Sequence, residues 1–408
     1  MEQIFFHIDV NSAFLSWTAI KLLKEGYPVD PRTTPSIIGG DKEKRHGVVL
    51  AKSIPAKLYE IRTGEPLVSA LRKCPDLLVL PPDHKYYSKC SEELMEHFHT
   101  FTCDIEQLSI DECFLDFTGI SHNYDSPEAA ATYIKDTVFE KFGFTVNVGI
   151  SNNKLLAKMA SDFKKPNLVH TLYPHEIEDK MWPLAVSELY MAGNSSVKIL
   201  HNLGIFTIGD LAQTPRSILE SHLKSHGGLL WEYANGIDGS PFFSAPPKNS
   251  GIGNSTTLSE DVTDRESAFH VLLGLSENVS TRLRASKQTA STISVEIKYS
   301  DFVKVSHQMQ LSIPTNNTST LYEKACYLFD QLWSNAPIRL LGIRTSKLAS
   351  EDEPVQLSLF DMDISSMEKR KKMDGAIDSI RLKFGNNAIL RASFLNNAEE
   401  SNDPSENK

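Results

Sequence analysis

The sequence is short of the features that announce several common protein classes. Its 408 residues include five cysteines, Cys74, Cys90, Cys103, Cys113 and Cys326, and no two are spaced C-x-x-C. That excludes a zinc ribbon and supplies no disulfide framework, so reduced thiols in a cytosolic protein are expected. No run of apolar residues approaches the length needed to cross a bilayer, and no membrane association is expected. The opening stretch MEQIFFHIDV lacks the basic region and cleavage site of a signal peptide and reads as a buried strand. Excess positive charge is missing too. The net charge of −10 argues weakly against a nucleic-acid binder. Much of the acid lies towards the C-terminus, in SEDEPV (350–355) and from Glu399 onward, where it is compatible with a basic groove elsewhere. No internal repeat is visible.

What is present is an ordinary folded-protein composition, 40% hydrophobic and 23% charged, on a chain long enough for two to four domains. Ile4 to Val10 cluster like a central strand, and a helical stretch from Ser12 to Lys24 follows. Between Pro28 and Cys74 the pattern turns irregular, with Gly39-Gly40 and a charged run from Asp41 to Arg45, and reads as a small inserted subdomain. A helix is expected over Asp83–Phe101. Two short strands are expected over Ile105–Ile110 and Cys113–Phe117, with Asp111-Glu112 at their junction. Ser126-Pro127 supplies an N-cap and a first-turn proline, Ala130, Ile134, Val138 and Phe142 recur every fourth residue, and Gly143 ends the helix. Phe144, Val146, Val148 and Ile150 alternate as a half-buried strand, and Leu155 to Phe163 mark a helix stopped before Pro166. This order suits a ferredoxin-like layout, which sets the end of the first strand beside the central hairpin and lets Asp9 meet Asp111 and Glu112.

Further along, 171–238 is helical and short-looped. LGIFTIGDLAQTP (203–215) has a glycine turn followed by Thr207-x-x-Asp210, a capping-box form. The proline-rich SPFFSAPPKNSG (240–251) marks a boundary. Beyond it, strands over Thr292–Tyr299 and Lys304–Ile313 mix with helices over Arg265–Ser286 and Thr318–Asn335. An acidic linker, a short apolar motif and a charged helix over Ser366–Phe384 close the chain.

Three carboxylates on adjacent strands are the first chemical signal. Phosphoryl transfer asks a protein mainly for positioning and charge neutralisation, and two Mg²⁺ ions about 3.5–4 Å apart can serve both the attacking and the leaving oxygen. One or two carboxylates per ion suffice when substrate phosphates complete the shell. Asp9, Asp111 and Glu112 can supply them, with the main-chain carbonyl of Val10 as a further ligand. Taken singly, each acid is more often a strand cap or a surface ion-pair partner. An Asp-Glu pair inside an apolar segment is harder to read that way, because like charges held together are costly without a cation. Asp116 shares the alternation but fits a structural role.

Here the residues reach a family. HIDVNSAFLS (7–16), SIDECFLDFTG (109–119) and GISNNKLLAKMASDFKKPN (149–167), in that order and with a matching tail, resemble the Y-family of translesion DNA polymerases of the DinB/UmuC type, over nearly the whole chain. The resemblance implies an α+β multidomain right hand. A ferredoxin-like palm would comprise 1–27 and 75–170, small fingers 28–74, and a helix-hairpin-helix-like thumb 171–240. A linker at 241–251, an α+β little finger at 252–348 and a tail at 349–408 would complete it. It implies that Asp9, Val10, Asp111 and Glu112 hold two Mg²⁺ ions. Phe14 would be the steric gate beneath the sugar, the amides of Ser12 and Ala13 would meet the triphosphate, and Lys165 would contact it. In the fingers, KSIPAKLYEIRTG (52–64) has Ile54 and Lys57 where DinB-type members carry Tyr and Arg, nearer the UmuC-like branch. Lysine keeps the charge and loses the bidentate fork. Val48 and Leu50 would line the floor under the nascent base pair. In the thumb, AGNSS (192–196) replaces the usual glycine-rich half of the hairpin. In the little finger, Arg282, Arg284, Lys287, Lys298, Lys304, Arg339, Arg344 and Lys347 are available for phosphates, among nearly as many acids.

Gln356-Leu357-Ser358-Leu359-Phe360 resembles the peptide with which bacterial polymerases dock on the sliding clamp, and an exposed Leu-x-Leu-Phe is costly to leave in water. Packing of that motif on its own domain is the competing reading. The implied partners are primer–template DNA, a dNTP and the clamp, for a cytoplasmic monomer working in DNA damage tolerance. A non-catalytic DNA- and clamp-binding accessory is the main alternative, and the intact acids and Phe14 argue against it. A nucleotide cyclase would leave the clamp-like tail without a role.

Overall fold

The computed structural model describes residues 3–40, 47–242, 250–353, 364–385 and 388–391. The chain divides into two compact units with the boundary at Pro246–Pro247, inside the proline-rich stretch.

The first unit opens with β1 (Phe5–Val10) and α1 (Ala13–Lys24). A small layer follows: β2 (Ser36–Gly39), β3 (Val49–Lys52), α2 (Ile54–Lys57), α3 (Leu67–Lys73) and β4 (Leu78–Leu80). The chain then returns through α4 (His84–Phe98), β5 (Ile105–Gln107), β6 (Glu112–Asp116), α5 (Pro127–Phe142), β7 (Val146–Ser151), α6 (Lys154–Ser161) and β8 (Val169–Thr171). The main sheet is five-stranded, in the order β5-β6-β1-β7-β8, with β1 central and antiparallel to both neighbours. Alternation decides what each face sees. Phe6, Ile8 and Val10 point into a core with Trp17 of α1, Tyr87, Leu94 and Phe98 of α4, and Ile134 and Val138 of α5. His7 and Asp9 take the other face, against which α6 lies. Fully buried rings such as Phe6, Trp17 and Phe98 each cost about 3–5 kcal/mol on truncation, which is why the sheet cannot slip register cheaply.

Two expected element ends shift by three residues. The fourth helix stops at Phe98, and residues 99–101 close a tight turn through amide bonds back to Met95, His97 and Phe98. The first hairpin strand ends at Gln107, because the amides of Leu108 and Ser109 both turn to the Glu112 carbonyl. β8 was not expected: it adds a parallel strand beside β7, too short and too polar to show a period. Where the sequence read as irregular there is a sheet, β3-β2-β4, whose third strand, Leu78–Leu80, falls just beyond the Cys74 bound expected for the inserted subdomain.

After β8 the unit is helical: α7 (Asn194–Asn202), α8 (Ile208–Gln213), α9 (Arg216–Leu223) and α10 (Ser225–Ala234). Gly204, at φ 78°, makes the turn between α7 and α8. Thr207 and Asp210 form the reciprocal capping box at the start of α8.

The second unit runs β9 (Gly251–Val262), α11 (Arg265–Ala285), β10 (Gln288–Tyr299), β11 (Lys304–Thr315), α12 (Thr318–Leu332), β12 (Ile338–Ser350) and α13 (Ile364–Phe384). Its antiparallel sheet, β11-β10-β12-β9, buries Ile293, Val295 and Ile297 beneath α11 and α12. Asp374 of α13 is 2% exposed and caps α12, accepting from the Thr318 amide at 3.0 Å and from Asn317 Nδ2 at 2.7 Å. Arg284 pairs with Asp378 at 2.6 Å and with Asp374 at 3.4 Å, so this residue of the expected phosphate-binding set is committed within its own unit. The charge pattern could not show that, because the partners lie some ninety residues downstream. Gln356, Leu357, Leu359 and Phe360 fall outside the described residues.

Candidate active site

The carboxylates meet as β-sheet geometry requires. Asp9 on β1 faces Glu112 on β6 in antiparallel register, so both side chains leave the same face of the sheet. Asp111 precedes β6, its carbonyl accepting from the Val10 amide at 3.1 Å. Ser109 Oγ donates to Asp111 Oδ1 at 2.6 Å and lies 3.5 Å from Glu112 Oε1. Asp9, Val10 and Asp111 line a cleft of about 430 Å³, within the size range of small-molecule sites.

The same cleft takes in the first turn of α1, with Ser12, Ala13 and Phe14 on its wall. Ser12 stands in the left-handed region at φ 49°, ψ 52°, immediately before a right-handed helix. That succession turns consecutive backbone amides to one side and makes a concavity for an anion, reinforced by the helix N-terminus. Phe14 is half-buried and stacks on Tyr87, with ring centroids 4.6 Å apart and planes at 8°, while His84 meets it edge-on at 6.0 Å. Leu50, Lys52, Ile54 and Lys57 also line the cleft. Val48 pairs with Pro66 and is not on that lining, so of the two floor residues expected only Leu50 reaches the cleft. Ile54 and Lys57 lie on α2, whose N-cap Ser53 accepts from the Ala56 amide at 3.1 Å.

Lys165 reaches the cleft from the segment after α6. Asn147, fully buried on β7, fixes that segment: its Nδ2 donates to the Ser161 carbonyl at 3.2 Å and to the Lys164 carbonyl at 2.9 Å. Asn11 accepts from the Asn167 amide at 2.9 Å. The Lys165 ammonium pairs with Asp9 and, at 2.9 Å, with Asp162. On the same face of the sheet, Lys158 of α6 pairs with Glu112, whose Oε2 also meets His7 Nε2 at 3.1 Å.

These partners set the charge states. Burial raises the Asp9 carboxyl to about 6, overriding the neighbouring Lys165 charge that pulls the other way. Glu112 is held down at about 2, chiefly by the hydrogen bond from His7 and against its own burial, with Lys158 adding to the effect. Burial would lower Lys165, but the Asp9 and Asp162 carboxylates carry it upward.

Among the described residues no three His, Cys, Asp or Glu side chains stand close enough to cage an ion as they are. Asp9 and Glu112 pair instead with Lys165 and Lys158. The donor set nevertheless fits a hard divalent cation. It is all oxygen, it crowds like charges on one sheet face, and ammonium groups already answer its demand for positive charge. A cation held by Asp9 would compete with a proton for the same carboxylate. Apparent divalent affinity is therefore expected to fall up to about tenfold per pH unit below about pH 6. The stability sign is opposite. Between the ordinary value of 3.8 and about 6 the folded state binds the extra proton, so acidification through that window favours folding through this group. Mg²⁺ titrations at pH 7.5 and 5.5, with melting curves beside them, separate the two; an unchanged Mg²⁺ requirement counts against Asp9 as a ligand.

Sequence reasoning missed His7, Asn147 and Lys158. His7 could have been found, since it stands two residues before Asp9 on a strand and must share its face. Asn147 and Lys158 act through contacts that no local period encodes.

Comparison with known proteins adds an independent line. The model of the impB/mucB/samB family matches residues 8–162, and that of the family's C-terminal domain matches residues 249–359. DNA polymerase IV of Clostridium acetobutylicum is 48% identical over 400 residues, covering 98% of this chain and 100% of that protein. DNA polymerase IV of Alkaliphilus oremlandii is 35% identical over 403 residues, covering 97% and 100%. DNA polymerase IV 2 of Bacillus subtilis is 34% identical over 402 residues, covering 97% and 95%. Among solved structures, a Y-family DNA polymerase chimera superposes with a TM-score of 0.74 at 20% identity, covering 85% of this chain and 99% of that one.

Proposed function

This chain belongs to the impB/mucB/samB family, and from that premise we propose that it is a DNA-directed DNA polymerase of the Y-family, adding dNTPs to a primer 3′ end across damaged template with low fidelity. The observation that carries the reading is one cleft that gathers Asp9, Asp111, the left-handed turn at Ser12 with Ala13, Phe14, Lys57 and Lys165. The residue roles are our assignment. Asp9, Asp111, Glu112 and the Val10 carbonyl hold two Mg²⁺ ions. When bound, such ions activate the primer hydroxyl and stabilise the departing pyrophosphate. The amides of Ser12 and Ala13 take a phosphate oxygen. Lys57 and Lys165 neutralise the triphosphate, Lys165 leaving Asp9 to do so. No residue is assigned as general base. Ile54 and Lys57 are what bring the fingers nearer the UmuC-like branch.

Phe14 is braced from behind by Tyr87, so it cannot retreat from a ribose 2′-hydroxyl. Replacing a clash of about 1–3 kcal/mol by open space, Phe14→Ala is expected to raise ribonucleotide relative to deoxyribonucleotide incorporation by about ten- to a hundredfold. Single-nucleotide insertion with paired rNTP and dNTP series measures it, and an unchanged ratio removes the gate role.

The palm is assigned to 1–27 and 75–170, the fingers to 28–74, the thumb to 171–240, the little finger to 252–348 and the tail to 349–408, in a cytoplasmic monomer. No helix among the described residues is long and apolar enough to cross a membrane. Gln356, Leu357, Leu359 and Phe360 are assigned to a bacterial sliding clamp on the sequence motif alone. Deleting Gln356–Phe360 is expected to abolish retention on immobilised clamp and leave clamp-free extension unchanged; retention of the deleted protein overturns that assignment.

The deciding experiment is primer extension with Mg²⁺ on undamaged and abasic templates. Short, template-directed products support the polymerase. No extension even with clamp added would favour a non-catalytic accessory.

A further inference from the structure

His7 is completely buried, and both of its ring nitrogens are engaged. A polar ring in that position costs free energy unless each nitrogen is satisfied. Nε2 lies 3.1 Å from Glu112 Oε2 on the neighbouring strand, and Nδ1 lies 2.7 Å from Ser161 Oγ on α6. An ionised carboxylate only accepts, so Nε2 carries the proton. Nδ1 then accepts from the Ser161 hydroxyl, for which the Lys158 carbonyl at 2.8 Å is a second acceptor. Phe114, with its ring centroid 4.7 Å from the imidazole, closes one side of the ring. The imidazole is therefore a strut, seated on α6 and bearing on one oxygen of Glu112.

The two oxygens of Glu112 are not equivalent. Oε2 is taken by His7 and by the Lys158 ammonium. Oε1 is the oxygen 3.5 Å from Ser109 Oγ, the hydroxyl that donates to Asp111 Oδ1 at 2.6 Å. Oε1 is thus directed to the side where Asp111 stands. Left to itself, a glutamate side chain samples several rotamers and either oxygen. Nothing else on β1 or β6 is bonded to Oε2.

We propose that His7 is a positioning residue that holds Glu112 Oε2 so that Oε1 alone is presented, with Asp111, to a divalent cation. The proposal rests on the polymerase reading above. It gives His7 no contact with nucleotide and no part in proton transfer. Residues that orient a metal ligand in this way commonly change metal affinity about 10- to 100-fold when lost.

Two substitutions separate this role from mere packing. His7→Gln can place an amide nitrogen near the Nε2 position and keep the bond to Glu112 while losing Ser161. His7→Asn reaches only the Nδ1 position, keeping Ser161 and losing Glu112. Mn²⁺ binding is followed by electron paramagnetic resonance on the full chain, with primer–template ended by a dideoxynucleotide and the matched dNTP. His7→Asn is expected to weaken Mn²⁺ by about tenfold or more, and His7→Gln by less than about threefold. In turnover, His7→Asn should raise the Mg²⁺ needed for half-maximal extension and leave the dNTP KM at saturating Mg²⁺ unchanged. Wild-type Mn²⁺ affinity in His7→Asn, or an equal loss in both variants, overturns the proposal. If His7→Asn does not fold, Ser161→Ala, which like His7→Gln loses only the Ser161 bond and keeps the one to Glu112, is expected to weaken Mn²⁺ by less than about threefold; a loss of about tenfold or more in Ser161→Ala overturns the proposal as well. A wild-type protein that neither binds Mn²⁺ nor extends primer would remove the polymerase reading itself, and this inference with it.

Discussion

Asp9→Asn combined with Asp111→Asn is expected to reduce primer extension by about a thousandfold or more and to leave the melting temperature no lower than that of the wild type. The two aspartates are the carboxylates that line the cleft, and with them would go the charge that holds cations against the triphosphate. Stability should survive for a physical reason. The Asp9 carboxylate is held ionised against its own burial, as its rise to about 6 records, so a neutral amide of the same shape relieves a cost. Lys165 keeps Asp162 as a partner at 2.9 Å. Glu112 makes a poorer choice for the same test, because Lys158 is only 12% exposed and would be left without its carboxylate. Extension rates and melting curves on one preparation check both halves. Activity within about tenfold of wild type would move the reaction away from this cleft, and a large loss of stability would make the acids structural.

Gly149→Ala carries the second large effect, on folding. Gly149 sits on β7 beneath α6, and a Cβ there would lie 1.9 Å from the Ala157 carbonyl oxygen and 2.4 Å from the Ser161 amide nitrogen. Both are backbone atoms, so no rotamer change can make room, and the helix has to lift. Overpacking costs about 1–3 kcal/mol and occasionally more; with backbone in the way the upper end applies, which is about 6–12 °C in melting temperature for a unit of this size. The lift would also displace Ser161 and the turn that delivers Lys165. Any folded fraction should therefore extend primer poorly. Gly119→Ala, where nothing lies within 4 Å of the new Cβ, is the matched control and should be neutral. Wild-type melting in Gly149→Ala would mean that α6 is not seated on β7 in this way.

Much of this was legible in the chain. The alternation from Phe144 to Ile150, the Ser126-Pro127 start and Gly143 stop of α5, and the Thr207–Asp210 box each report a local rule, and each element appears there. β7 is nonetheless buried along its whole length rather than on one face, because α6 covers the side the alternation would leave to solvent. The short β8 and the small β2–β4 layer were not legible. Strands of three or four residues show no period of their own and exist because a neighbour supplies their hydrogen bonds. Arg284 illustrates the converse: as a sequence feature it is one more surface base, and only α13 makes it an internal partner.

By itself the sequence determined the longer strands and helices, that His7 and Asp9 share a face, and that Asp111-Glu112 stands at the junction of two strands, because these follow from backbone periodicity and short-range sterics. Only the tertiary structure decided that Lys165 and Lys158 answer the carboxylates, that burial lifts Asp9 while His7 holds Glu112 down, and that Tyr87 braces Phe14. Those outcomes depend on desolvation and on partners 46, 73, 105 or 156 residues apart. Packing sets such terms, and no local pattern in the chain contains them.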